Sequence, residues 1–484
     1  MKIRSLAVAA IAVACGQAHA LDPATSNAAS TVKVYVSGAS AMRNIIGGLF
    51  TENCVAGTLD VYFSSAGTFS GFPFAAAGDA HRVYTCTMAA ASPILPNKNV
   101  AFFKSDIGGS GQGVFPVYLR TARGFLNLGS CGARAASVPN YTCTGDQQQV
   151  PMAGVSDVEP GLFIGANVPK DDPSYPPQGL SESQITELDV RPLFQTIFAV
   201  AVNKSLRDAM QTAQGILPVG DGGAEPSLSR TAAGSFFSGA LTSPSAGLGW
   251  QPLVSSTNAL KDSQVNLCRR VDGSGTQASA NAFFLQFPCG SSPLALADKT
   301  YSDVGPDNQS LANVVATGSA FVYEGSSTGN VISCLNAAET NGAFAIGHVS
   351  KENVPNTVVT ATNPLGTWRH VKLDGVSPSR DNTKAGQYDY FFESTMQWNK
   401  AHFAALPTLF PTFGADAKTF LTQFAARAKL SSSLAKLSSA TQNGVAATPD
   451  TYAGAYGTGT ADEIKFGSRV SRGGNSCTPA TFAK

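Results

Sequence analysis

Short runs of β-branched and aromatic residues alternate with segments of helical periodicity along most of the chain. Such runs predict strands, because these side chains pack well on a pleated sheet. The clearest of these runs are Val32 to Val36, Asn99 to Phe103, Phe198 to Val202 and Phe344 to Val349. Strands that alternate with helices predict an α/β architecture with largely parallel sheets.

The first twenty residues have the layout of a secretory signal. Lys2 and Arg4 form a basic start, Leu6 to Cys15 is an apolar stretch too short to span a bilayer, and Ala18 to Ala20 is a small-x-small cleavage site. We predict cleavage after Ala20 and a periplasmic or secreted protein. The alternative, a lipoprotein cysteine at Cys15, is disfavoured by Ala12 three positions before it.

No later segment reaches the ~20 apolar residues that a membrane helix needs. The longest apolar stretch, Leu193 to Val202, contains Gln195 and Thr196 and is strand-like. We therefore expect no stable membrane insertion. A chain of 484 residues is long enough for two or three domains, each with its own core.

Cysteine usage agrees with export. Removal of the signal leaves eight cysteines, and an even number in an exported chain predicts disulfides, whose pairing the spacing alone leaves open. Short separations suggest local loops closed by Cys131–Cys143 and Cys268–Cys289. No CxxC pair is present, and we expect neither a metal site nor a cofactor. The eight are Cys54, Cys86, Cys131, Cys143, Cys268, Cys289, Cys334 and Cys477.

The charge pattern excludes one class of partner. The net charge is +1, only 13% of residues are charged, and no basic stripe with interleaved aromatics is present. Nucleic acid is therefore a poor candidate partner. Any ligand must be recognised by local groups of residues.

Four loops combine small residues and hydroxyls directly after an apolar run. They are VYVSGASAM with Ser40 and Ala41, FFKSDIGGSGQGVFPV with Ser110 and Gly111, AGVSDVEPG with Asp157, and CRRVDGSGTQ with Arg270, Asp272, Ser274, Gly275 and Thr276. Each loop by itself is most often a turn with a helix N-cap. Their order along the chain favours one joint site, because a strand that opens into a helix offers backbone amides to an anion.

The wording and order of these loops resemble the phosphate-binding proteins of bacterial ABC transporters and the exported phosphate-binding proteins related to them. The resemblance implies a two-lobed periplasmic-binding-protein fold of type II, with a hinge and an inter-lobe cleft. It assigns phosphate contacts to Ser40, Ala41, Ser110, Gly111, Asp157, Arg270, Ser274, Gly275 and Thr276, with Asp272 holding Arg270. Ser64 or Ser65 competes with Ser110 for the second loop.

Weaker matches extend the resemblance through NGAFAIGHVS and VKLDGVSPS to nearly the whole chain. They divide it into a signal (1–20), a first lobe with disulfide-tied insertions (21–195), a second lobe (196–343), and a return to the first lobe with a C-terminal surface tail (344–484). The chain is expected to cross between lobes near Val190 to Val202 and near Phe344 to Val349. Long gaps between the loops, where most of the cysteines lie, depart from the family pattern.

The residue types suit a small tetrahedral anion. Hydroxyls and amides at helix N-termini solvate an anion without bulk water, and Arg270 adds a bidentate donor. Asp157 would repel a dianion unless the ligand carries a proton. Monohydrogen phosphate has that proton, whereas sulfate has none, so a buried carboxylate here predicts selection of phosphate.

We therefore expect an exported protein that captures inorganic phosphate, for uptake with an ABC permease or for scavenging without one, and acts as a monomer. We expect no enzyme, because G-x-S-x-G, H-E-x-x-H and Walker A patterns are absent. The alternative is a cell-surface structural or adhesive protein that keeps the binding-protein fold.

Overall fold

The computed structural model describes residues 21–64, 81–134, 140–170, 172–242, 249–298, 300–302, 308–355 and 367–484. The predicted signal at residues 1–20 and Ser65 lie outside this part of the chain.

The first half of the chain is rich in short strands. In chain order they are β1 (Val32–Gly38), β2 (Asp60–Phe63), β3 (His81–Thr87), β4 (Asn99–Ser105), β5 (Arg123–Leu126), β6 (Asn140–Thr142), β7 (Asp146–Gln149) and β8 (Ala153–Ser156). Its helices are α1 (Pro23–Asn27), α2 (Arg43–Thr51), α3 (Phe115–Leu119) and α4 (Glu182–Ile185).

The second half begins with the longest strand, β9 (Leu188–Asn203). The strands that follow are β10 (Ser227–Leu228), β11 (Val265–Arg270), β12 (Tyr301–Ser302), β13 (Ala320–Gly325), β14 (Ala345–Ser350), β15 (Trp368–His370), β16 (Lys372–Leu373), β17 (Phe391–Asn399), β18 (Val445–Ala446), β19 (Val470–Ser471) and β20 (Thr481–Phe482).

The helices of this half are α5 (Lys204–Ala213), α6 (Arg230–Phe237), α7 (Gly275–Leu285), α8 (Thr328–Thr340), α9 (Arg380–Lys384), α10 (Lys400–Leu409), α11 (Gly414–Ala428), α12 (Ser431–Leu434), α13 (Ser439–Gln442) and α14 (Ala461–Phe466). They are interspersed among the strands, as the alternating pattern of the sequence predicts.

One continuous sheet connects the two halves, with strand order β12-β13-β11-β14-β9-β17-β8-β1-β4-β3-β2-β6. The 16-residue β9 joins them, because its residues Leu188 to Ile197 pair with β17 and its residues Phe198 to Val202 pair with β14. The four predicted strands and the α/β fold are confirmed. The sheet is more mixed than expected, since β3, β9 and β17 run antiparallel to their neighbours.

The protein has two main hydrophobic cores, and each takes residues from both halves of the sequence. In the first, Phe102 on β4 stacks with Phe50 at a ring distance of 5.7 Å and with Phe424 of α11 at 5.6 Å. In the second, the fully buried Trp250 stacks on Phe236 of α6 at 5.1 Å. A two-lobed α/β fold is thus confirmed, and we call β9 and β17, which run between the lobes, the hinge strands.

Four disulfides join the eight cysteines: Cys54–Cys86, Cys131–Cys143, Cys268–Cys334 and Cys289–Cys477. The local Cys131–Cys143 loop is confirmed, whereas the predicted Cys268–Cys289 bridge is wrong. Cys268 on β11 faces α8 and its Cys334, while Cys289 packs against the core on the opposite side of the sheet. Alternate residues of a strand face opposite sides, and chain separation does not reveal which.

The division into lobes at residues 195/196 and 343/344 stays a prediction. The first boundary falls inside β9, and the second precedes β14, which pairs with β9 and β11. The chain next enters the sheet of the first lobe at β17. Among the described helices, none combines the length and the apolar character needed to cross a membrane.

Glycines allow the backbone at three strand ends of the first lobe to approach closely. A Cβ on Gly154 of β8 would lie 1.9 Å from the carbonyl oxygen of Gly113, and one on Gly38 at the end of β1 would lie 2.2 Å from that of Val155. The loops that follow β1, β4 and β8 therefore meet at backbone distance, which only glycine permits.

We expect Gly154→Ala to destabilise the protein by about 3 kcal/mol, because the new methyl group overlaps a backbone oxygen that cannot move independently. Urea unfolding measures the change. Gly132→Ala is the matched control, since the nearest atom to its Cβ is 3.8 Å away. Equal stability of the two variants would contradict the close approach of these strand ends.

Candidate functional site

The four loops singled out in the sequence follow the carboxyl ends of β1, β4, β8 and β11. The first three strands are neighbours in the order β8-β1-β4, so their loops lie side by side in the first lobe. The fourth loop leads from β11 into α7 in the second lobe. A site formed by all four must therefore lie between the lobes.

The centre of the site is the carboxylate of Asp157, which is 1% exposed. Its Oδ2 accepts hydrogen bonds from the hydroxyls of Ser110 at 3.2 Å and of Thr276 at 3.3 Å, and its amide donates to the Ser110 oxygen at 3.2 Å. Gly275 is equally close, since a Cβ on it would lie 2.4 Å from Ser110 Oγ. The structure thus brings four of the predicted residues together from three distant parts of the chain.

Asp157 is electrostatically unusual. Burial raises its pKa to about 6, although the charge of Arg270 and the two hydroxyls act in the opposite direction. Its second oxygen, Oδ1, is buried and has no hydrogen-bond partner. A carboxylate with one uncommitted oxygen is an acceptor for a proton that a ligand brings.

Arg270, 1% exposed, is held by the loop after β13. Its guanidinium donates to the carbonyl oxygens of Ser326 at 2.8 Å and Gly325 at 3.1 Å. Its charge lowers the pKa of Asp157, so it lies within electrostatic reach of that carboxylate. Asp272, expected to hold Arg270, forms an ion pair with Lys170 at 2.7 Å.

The remaining predicted residues differ in whether their polar groups already have hydrogen-bond partners. Ser40 begins a short 3-10 helix, and its buried hydroxyl has no partner, while Ala41 beside it is buried. Ser274 caps α7 by accepting from the amide of Gln277 at 3.4 Å. The amide of Gly111 donates to the carbonyl oxygen of Gly273 at 2.7 Å, a direct contact between the second and fourth loops.

Ser110 and Ser64, the two candidates for the second loop, lie at different places in the fold. Ser110 contacts Asp157, whereas Ser64 directly follows β2, which β3 separates from β4 in the sheet. Ser65, the other candidate, lies outside the described residues.

A buried cationic cluster next to these loops was not identified from the sequence. Asp106 accepts from Lys104 Nζ at 2.5 Å and from Arg43 Nε at 2.7 Å, and Arg82 lies 4.0 Å away. Lys104 also donates to the carbonyl oxygen of Gly38 in the first loop. The signal available was FFKSD, in which a lysine and an aspartate end an apolar run.

Charges in this cluster act on each other and on Asp157. Burial raises the pKa of Asp106, but Lys104, Arg43 and Arg82 outweigh burial and leave that pKa below its usual value. Burial lowers the pKa of Lys104, which Asp106 opposes. The charge of Lys104 in turn lowers the pKa of Asp157, so the cluster and the carboxylate form one electrostatic unit.

Two further buried side chains were missed. Burial and the charge of Asp157 raise the pKa of Glu352 well above its usual value. Burial lowers the pKa of His348 to about 3, so the ring is neutral. His348 Nε2 contacts Gln277 Oε1 at 3.2 Å, which also accepts from the Arg270 amide, and so helps to position the fourth loop.

The arrangement offers hydroxyls, a guanidinium and one open carboxylate oxygen, but no metal cage. Among the residues that the structure describes, no group of three or more His, Cys, Asp or Glu side chains is placed to hold a metal ion.

No protein-family model matches the chain, and no curated protein matches it. Among solved structures, it is similar to a phosphate ABC transporter substrate-binding protein with bound phosphate from Clostridium perfringens, at 13% identity and a TM-score of 0.38, over 81% of this chain and 92% of that one. It is also similar to a phosphate-binding protein from Stenotrophomonas maltophilia, at 13% identity and a TM-score of 0.35, over 83% and 94% of the two chains.

A third likeness is to an ABC-type phosphate transport receptor from Vibrio cholerae, at 12% identity and a TM-score of 0.34, over 81% and 98% of the two chains. All three TM-scores are 0.38 or lower, so these similarities assign neither a ligand nor a role to this chain.

Burial of Asp157 should make stability depend on pH in a defined direction. A raised carboxyl pKa means that the folded protein keeps a proton that the unfolded chain has lost, so wild-type stability falls as pH rises from about 4 to about 6. Asp157→Asn has no such loss. Relative to wild type, the ligand-free variant should gain about 3 kcal/mol between about pH 4 and about pH 8.

Urea unfolding at both pH values measures this gain. Asp298→Asn is the control, because it makes the same substitution at an exposed position. A gain of the same size in both variants, or in neither, would contradict the burial of the Asp157 carboxylate.

Proposed function

We propose that this chain is an exported binding protein, rather than an enzyme, that captures monohydrogen phosphate between its two lobes. The observation that carries the proposal is the buried Asp157 carboxylate, which has one uncommitted oxygen and adjoins a cluster of buried cations.

Positive charge near the site supports an anionic ligand. Asp106 holds Lys104 and Arg43 beside the first-lobe loops, and the charges of Arg270 and Lys104 lower the pKa of Asp157. Fixed cations close to a site increase its attraction for anions.

Donor geometry supports a small oxyanion. The hydroxyls of Ser110 and Thr276 meet at Asp157, and Thr276 lies in the first turn of the 11-residue α7. Ser40 follows β1, which is the neighbour of β4 and β8 in the sheet. The unpartnered Ser40 hydroxyl is the donor most readily available to a ligand. A helix N-terminus adds the partial positive charge of its free amides.

The Asp157 carboxylate favours phosphate over other oxyanions as the proposed ligand. An ionised Asp157 can only accept, so a ligand oxygen opposite Oδ1 must carry a proton. Monohydrogen phosphate meets this condition, while sulfate would place two acceptors face to face. The expected penalty for sulfate is that of a buried unsatisfied acceptor.

Entry of the anion requires the lobes to separate. The Gly111–Gly273 hydrogen bond and the close packing of Gly275 on Ser110 join the second and fourth loops directly. The hinge strands β9 and β17 permit such a motion, and the phosphate would replace these contacts on closure. Uptake with an ABC permease and scavenging without one both fit this cycle.

One observation favours the second candidate, a structural or adhesive protein. The same Gly111–Gly273 contact closes the site with protein groups alone, and a purely structural chain needs nothing further. Binding measurements separate the two functions, because the structural candidate has no anion affinity.

Calorimetric titration of the mature protein should show phosphate binding and much weaker sulfate binding. Asp157→Asn should lower the ratio of the phosphate affinity to the sulfate affinity by about tenfold or more, because the amide no longer repels sulfate and can donate a hydrogen bond to it. Arg270→Ala should instead lower the affinity for both anions by about thirtyfold, since it removes charge-assisted hydrogen-bond donors that either anion can use.

Asp298→Asn and Arg191→Ala are the controls. Both side chains are exposed, and the two substitutions remove the same kinds of charge outside the site. Absence of heat with phosphate would reject the proposed function. An unchanged ratio in Asp157→Asn would reject the role of Asp157 as the selecting acceptor.

A further inference from the structure

The last part of the chain, residues 468–484, forms a segment that we call the C-terminal brace. It lies along the hinge strands. Gln195 of β9 donates to the carbonyl oxygen of Val470 at 2.7 Å, and Arg472 donates to those of Phe391 and Asp389 at 2.9 and 2.6 Å. Arg472 is 8% exposed, so these bonds are shielded from water.

The brace also contacts the third loop of the anion site. Glu159 lies two residues after Asp157, and its Oε1 accepts from the amide of Ser476 at 2.8 Å. The Ser476 hydroxyl donates to the other oxygen of the same carboxylate. The brace thus holds the loop that positions Asp157.

A covalent bond ties the brace to the opposite side of the site. Cys477, next to Ser476, forms a disulfide with Cys289, which follows α7 in the second lobe. The other end of α7 carries Gly275 and Thr276. The brace therefore joins the Asp157 loop and the Thr276 helix by a route separate from the site itself.

This disulfide differs from the other three in its exposure. Cys86, Cys143, Cys268 and Cys334 are at most 1% exposed, so each of those bridges has a buried member. Cys477 is exposed and Cys289 is half-buried. A cavity of about 310 Å³, lined by both cysteines together with Arg230, Phe283 and Arg472, lies against the bridge.

We propose that the C-terminal brace is a covalent latch that limits how far the two sides of the anion site separate, and so sets the rate of anion exchange. The inference rests on the proposed function for its ligand. Opening moves α7 away from the Asp157 loop, and a bridge between residues 188 positions apart restricts that motion.

Release of the latch is a balanced two-electron reduction. A dithiol attacks the Sγ of the exposed residue Cys477, the Cys289 sulfur leaves as a thiolate and takes a proton, and the second thiol resolves the mixed disulfide. The dithiol ends as a cyclic disulfide, and the protein carries two free thiols. The buried bridges should resist the same treatment.

The test uses full-length mature protein with both cysteines replaced, Cys289→Ser and Cys477→Ser. Hydrogen exchange of ligand-free protein should be faster in α7 and in residues 157–162, and phosphate dissociation should accelerate by about tenfold because the closed-loop constraint is lost. The matched control is the pair Cys131→Ser and Cys143→Ser, which removes a bridge in the first-lobe insertions.

A second variant keeps the disulfide: Ser476→Ala removes the hydroxyl that contacts Glu159, and should speed exchange in residues 157–162 but not in α7. If the double variant does not fold, brief dithiothreitol treatment of folded wild type replaces it, with peptide mapping to verify that Cys289–Cys477 alone is reduced.

Faster exchange and dissociation on loss of the bridge, with the control unchanged, support the latch. Unchanged exchange in α7 overturns it, as does equal acceleration in the control. Because hydrogen exchange needs no ligand, failure to bind phosphate would reject the proposed function and leave the latch measurable by itself.

Discussion

Burial of one carboxylate between two lobes is the interaction on which the site depends. Asp157 reaches Ser110 in its own lobe and Thr276 in the other, so the same oxygen marks the position of both. Removal from water raises its pKa to about 6, which keeps it close to the boundary between acceptor and donor. In the proposed function, a group in this state would distinguish anions by their protons, and would link closure of the lobes to protonation.

Positive charge is supplied at a distance from the predicted motifs. Lys104 and Arg43 meet on Asp106 at the ends of β4 and the start of α2, and Lys104 also reaches the first loop through Gly38. Fixed charges of this kind attract an anion without occupying the donors that orient it. In the proposed function, the cluster would supply attraction for the anion, and the loops would supply its recognition.

The hinge region carries constraints in addition to the sheet. β9 passes through both lobes, and residues 468–484 lie along it, joined to Glu159 by hydrogen bonds and to Cys289 by a disulfide. The tail that the sequence predicted as a surface covering therefore contacts both sides of the site. In the proposed function, the lobes must open to exchange the anion, and a link between them would act on that step.

The sequence by itself determined the α/β class and four strands, because hydrophobic periodicity is a local property of the chain. The members of the central contact, Ser110, Asp157, Gly275 and Thr276, were predicted from the resemblance of their loops to those of phosphate-binding proteins. Only the tertiary structure decided that Lys104 and Arg43 share Asp106, that Asp272 pairs with Lys170, and that Cys268 bonds Cys334 rather than Cys289. Those pairings depend on which faces of the strands meet and how the sheet orders them. Such proximity arises from packing between distant segments, which no local pattern encodes.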